Sequence, residues 1–170
     1  MPSPSTSGGP APQPQLTLPL NSNIAPFGTA NTNDPTWQRL WLRCQQHDWQ
    51  SIALVGHSRK SPDGILEIAS GLARLSLELG QELYVIDGRN FGLKEIQRTQ
   101  EEIQRITGRS KRCILVLKLV SDNATSVPLA QLVDACLLGV FIGDTTFTAA
   151  YRSIEEIGRP KFLGTIVLGG

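Results

Sequence analysis

The stretch from Ser51 to Asn90, SIALVGHSRKSPDGILEIASGLARLSLELGQELYVIDGRN, restricts the fold more than any other part of the chain. Ser51 to Val55 is a short apolar run, and a polar, glycine-containing turn covers Gly56 to Gly64. From Ile65 to Leu79 the apolar residues recur at helical spacing (Ile65, Ile68, Ala69, Leu72, Ala73, Leu75, Leu79), and Gly80 stops the pattern. Glu82 to Asp87 is a second apolar run that ends in an acid. This order predicts one strand–helix–strand unit. Strands joined through a helix of this length run parallel, because a parallel pair cannot be closed by a tight turn.

Similar units continue to the C-terminus. Leu93 to Thr107 reads as a polar surface helix with a thin stripe of Ile96, Ile103 and Ile106, ended by Gly108. Cys113 to Val120 is a third strand candidate, Ser126 to Val133 a short helix with Pro128 in its first turn, and Ala135 to Ile142 a nearly all-apolar fourth strand. Thr145 or Thr146 is placed to cap a helix that runs to Ile157, and Phe162 to Leu168 is a fifth strand. The fold class expected is α/β, a three-layer, mostly parallel sheet with helices on both faces.

Upstream the character changes. Met1 to Thr36 holds eight of the eleven prolines, with Ser, Gly, Asn, Thr and Gln between them and Asp34 as its one charge. Such a segment buries too little apolar surface to offset the entropy of ordering it. Residues 1–34 are therefore read as a disordered tail and 35–170 as the domain. LTLPL at Leu16 to Leu20 is the tail's one apolar patch and a candidate docking peptide. Asp34 and Pro35 open a helix in which Trp37, Leu40, Trp41 and Cys44 share a face, suited to packing across the sheet or to anchoring a partner.

Composition narrows the function classes. Hydrophobic residues make up 40% of the 170 and charged residues 18%, enough for one packed core. A net charge of +1 argues against nucleic acid as the main partner. There is no apolar run of membrane-spanning length, and MPSPSTSGGP is not a secretory leader. Cys44, Cys113 and Cys136 form no CxxC pair, and with only His47 and His57 no metal site is expected. The RSKR cluster, Arg109 to Arg112, reads as a solvated loop or a contact for anionic groups.

The order WQRLWLRCQQHDWQ, SIALVG, SPDGILE, SGLARLSLELG, LYVIDGRN resembles the deviant Walker ATPases, a group that includes the ParA/MinD partitioning ATPases and the bacterial tyrosine kinases of capsule and exopolysaccharide synthesis. It is closest to those kinases. LVDACLLGVFIGDTTFTAAYRSIEEIG and FLGTIVLGG are similar to later family segments, so the resemblance spans roughly Asp34 to Gly170. It implies a P-loop NTPase-like fold. The nucleotide chemistry does not carry over. Gly64 keeps one loop glycine, but Pro62 stands at the first glycine position, Ile65 at the phosphate-binding lysine and Leu66 at the magnesium hydroxyl. Asp87 matches the first acid of the family's IDaD motif, while Arg89 replaces the second. The acid that ends the next strand is absent near Lys118 to Ser121, with Asp122 just beyond, and Gly71 replaces an asparagine. The C-terminal tyrosine cluster is missing, and Tyr84 and Tyr151 read as structural.

Arg59, Lys60, Gly64 and Asp87 are therefore the residues of a vestigial cofactor-binding site, with no catalytic set and no cofactor expected. His57 and Ser58 form no nucleophile elbow. The resemblance implies a pseudokinase: a non-catalytic accessory or scaffold in exopolysaccharide biosynthesis or export. Its place would be the cytoplasm, peripheral at the inner membrane. The expected partner is an inner-membrane polysaccharide co-polymerase or export component, with a homo-oligomer as a further option. Two alternatives share the fold. One is an active ATPase or tyrosine kinase that uses Arg59 or Lys60 and Asp87 with Mg-ATP. The other is a ParA/MinD-like positioning adaptor.

Overall fold

A computed structural model describes residues 15–17 and 33–169. Most of the segment read as a tail lies outside them. The elements are β1 (Gln15–Thr17), α1 (Pro35–Gln45), β2 (Ser51–Val55), α2 (Gly64–Glu78), β3 (Leu83–Asp87), α3 (Ile96–Thr107), β4 (Arg112–Leu117), α4 (Ser126–Ala130), β5 (Ala135–Phe141), α5 (Phe147–Ile157) and β6 (Phe162–Leu168). Single 3-10 turns precede α3 and β6.

The sheet order is β1-β3-β4-β2-β5-β6. Five strands are parallel, and β1 adds to the outer edge of β3 antiparallel, with Gln15 opposite Asp87 and Thr17 opposite Val85. The chain leaves the central β2, skips one position to β3, and then steps back through β4, β5 and β6. With right-handed crossovers this reversal sends α2 to one face and α3, α4 and α5 to the other.

The two cores follow from it. Strand residues alternate between faces. Ile52, Leu54, Val85, Ile114 and Val116 meet Trp37, Trp41, Ile65, Ile68 and Leu72 from α1 and α2. Ala53, Val55, Ile86, Leu115 and Leu117 meet Ile103, Ile106, Leu129 and Ile157 from the other helices. The α/β class and the layering on both faces are thus observed.

Local chemistry sets the ends. Asp34 accepts from Thr36 N–H at 2.8 Å, and Thr146 caps α5 by accepting from Ala149 N–H at 3.2 Å. Both tryptophans of α1 are buried, so that helix uses them to cover the sheet. A methyl group at Gly71 would fall 2.2 Å from Trp37 Cη2, which is why α2 carries no side chain there. The three cysteines are free and buried; burial pushes the Cys44 thiol up to about 11 and those of Cys113 and Cys136 up to about 12. They are core residues rather than reactive thiols.

Three expectations change. The third strand stops at Leu117, so Lys118 stands beyond it at the sheet's edge. Tyr84 packs against the core, but Tyr151 is about half exposed, stacked on Phe147 with the Arg159 guanidinium over its ring. The RSKR cluster is only partly solvated: Arg112 lies over the Trp49 ring at 4.8 Å and donates to Gln45, and Lys111 pairs with Glu82.

Candidate functional site

In open parallel sheets the crevice outside the carboxyl ends of the strands, where the connections switch faces, is where ligands bind. Here that place lies above β2, flanked by β4 and β5. The loop after β2, Gly56 to Asp63, meets the turns after β3, β4 and β5.

Ile65 decides what the start of α2 can do. It is 1% exposed, and its Cδ1 fills the space over Gly139, where a methyl group would come within 2.6 Å of it. Gly56 makes room in the same way, since a methyl group there would lie 3.2 Å from that Cδ1 and 3.1 Å from the Gly139 carbonyl. The Ile65 side chain is thus a wedge between the ends of β2 and β5. Leu66 packs against the same core.

The N–H groups of Arg59, Lys60 and Ser61 are engaged from within the chain. Asp144, on the turn after β5, accepts at Oδ2 from Ser58 Oγ at 2.6 Å, Arg59 N–H at 2.7 Å and Lys60 N–H at 3.3 Å. Successive N–H groups converging on one point form an anion-binding nest. Here the anion is the protein's own carboxylate. The Ser58 hydrogen bond, backed by the two N–H groups, holds the Asp144 carboxyl below the usual aspartate range. Lys60 turns its ammonium to the Gly143 carbonyl at 3.5 Å.

Arg89 closes the other side. Its Nε and Nη2 donate to the two oxygens of Asp87, each at 2.8 Å, and its Nη1 donates to Asp63 Oδ1 and to the Pro62 carbonyl, each at 2.9 Å. The guanidinium side chain is 12% exposed. It ties the end of β3 to the start of α2 with a two-pronged fork that only arginine offers. The Asp87 fork, then Asp63, raises the Arg89 pKa against the cost of burial. Asp63 precedes α2 but spends its carboxylate on Arg89, not on capping the helix. Behind it, burial and the nearby Asp63 charge push Glu67 up, and Glu67 Oε2 has no hydrogen-bond partner.

The turn after β3 is fixed too. Lys118 Nζ donates to Asn90 Oδ1 at 3.0 Å, and Asn123 Nδ2 donates to the carbonyls of Phe91 and Arg89 at 3.0 and 3.2 Å.

Of the four residues singled out in the sequence, Arg59 and Lys60 lie on the loop after β2, Gly64 opens α2 and Asp87 ends β3. No common ligand point results. Asp87 is occupied by Arg89, and Gly64 N–H bonds the Ser61 carbonyl at 2.9 Å. Lys60 faces Gly143, and only Arg59 lines open space. That space is a cleft of 440 Å³, bounded by His57, Arg59, Ser121, Asp122, Thr148 and Arg152 among others. Asp144 and the fork of Arg89 were missed in the sequence. An acid just past the strand beside β2 was the available signal for the first; for the second, an arginine two residues after an acid at a strand end. Among the described residues no cluster of His, Cys, Asp and Glu could hold a metal, and no helix is long and apolar enough to cross a membrane.

No protein-family model matches the chain, and no curated protein and no solved structure matches it.

Proposed function

We propose that this chain is a non-catalytic relative of the deviant Walker P-loop ATPases, nearest the exopolysaccharide tyrosine kinases. It acts as an accessory or scaffold in exopolysaccharide biosynthesis or export. The observation that carries the reading is the Asp144 carboxylate seated on the N–H groups of Arg59 and Lys60. A phosphate approaching this loop would meet a fixed negative charge there. The buried Ile65 supports the reading, because it offers no cation to a γ-phosphate.

A loop held in this way suits a fixed docking surface. His57 to Gly64 and Asp87 to Phe91 form one continuous, internally bonded rim, on which an inner-membrane export component is the proposed partner. The domain would then work at the cytoplasmic face of that membrane without cofactor.

Complementation of a deletion strain tests this. Loss of the gene should reduce exported polymer. The purified wild-type chain should hydrolyse no ATP in the presence of magnesium, because Ile65 offers no cation to the phosphates. Unchanged export in the deletion strain, or magnesium-dependent ATP hydrolysis by the wild-type chain, would contradict the proposal.

A further inference from the structure

β6 forms one edge of the sheet. The opposite edge strand, β3, carries β1; among the described residues nothing pairs with the outer side of β6. Phe162 to Leu168 contains neither a charged residue nor a proline, the features that monomers use to blunt an open edge. A register shift opposite Cys136 and Leu137 confines the regular strand to Gly164–Leu168, whose middle residue is Ile166.

The direction of the backbone groups follows. Ile142 N–H donates to the Leu168 carbonyl at 2.9 Å, so Leu168 faces β5. Alternation turns Gly164 and Ile166 the same way and points the N–H and C=O groups of Thr165 and Val167 outward. Both side chains are exposed, Val167 to 62%. On the α1 face a groove of 180 Å³ runs beside the strand, between Leu40, Arg43 and His47 on one side and Leu137, Leu163 and Ile166 on the other.

We propose that a second copy of this chain pairs through β6, antiparallel, with a two-fold axis at Ile166, so that one sheet runs through both copies. Thr165 and Val167 then exchange hydrogen bonds with Val167 and Thr165 of the second copy. Ile166 meets its own counterpart across the axis in a non-hydrogen-bonded pair, where side chains approach most closely. The strand itself fits as the occupant. To the groove's side it brings Gly164, Ile166 and Leu168, apolar like the groove floor, and being uncharged it sets no like charges face to face. The exposed Val167 gains a neighbour in Thr165 of the second copy.

Sedimentation velocity on the full chain tests the pairing over roughly 1–100 μM, a range that brackets micromolar association. The wild type should reach twice the 18.5 kDa chain mass. The double variants T165K/V167K and T165E/V167E each place like charges directly opposite and should each sediment as monomers. Their equimolar mixture places opposite charges at both positions and should return to the dimer. Circular dichroism reports that each variant is folded. A wild type monomeric throughout overturns the proposal, and so does a dimer that persists in T165K/V167K. Folded variants whose mixture stays monomeric overturn the register.

Discussion

Arg89 bears more of the edge's integrity than any other single side chain, because it satisfies two carboxylates and a carbonyl at once. Arg89→Ala strands Asp87 and Asp63 without their counter-charge and is expected to cost about 2–3 kcal/mol. Arg89→Lys keeps the charge but not the fork, and should recover only part of that. Urea midpoints of the two variants decide it, and an alanine variant as stable as wild type would contradict the role assigned. Asp144 adds a pH signature. Its pKa is depressed in the folded chain, so its contribution is complete above the ordinary aspartate range and is lost as pH falls through the lowered value. Stability measured between about pH 2 and 6 should fall toward acid in the wild type, and less steeply in Asp144→Asn.

Among the elements, the packing of α1 on α2 rests on the absence of a side chain at Gly71. In an open helix Gly→Ala would stabilise by about 1 kcal/mol. Here the added methyl would meet the Trp37 ring, and overpacking of about 1–3 kcal/mol wins instead. Gly71→Ala should therefore lower the denaturation midpoint, and Trp37→Leu in the same chain should recover part of the loss; strict additivity of the two would contradict the contact. The helices and strands themselves were legible in the sequence because local periodicity and caps specify them, as the agreement at Thr146 and Phe162–Leu168 shows. Strand order was not, since the step from β3 back to β4 is set by which faces bury together. The Asp144–Arg59 contact joins residues 85 apart, and no local pattern announces it. In the sequence Gly71 reads as a lost asparagine; in the fold it makes room for the Trp37 ring.

The whole molecule joins two cores across one sheet to an edge whose loops are bonded to one another. The loop and strand ends of this edge were recognisable from their order along the chain; the contacts of Asp144 and Arg89 were not, because a carboxylate and a guanidinium reach the loop from distant turns. A Mg-nucleotide seated on the Arg59 and Lys60 N–H groups would first have to displace the Asp144 carboxylate. Calorimetric titration of the full chain with ATP and ADP, with and without magnesium, tests this most directly. Absence of heat and of any thermal stabilisation at millimolar nucleotide is the expected result, whereas magnesium-dependent binding in the micromolar range would contradict the closed edge and the roles given to Ile65, Asp144 and Arg89.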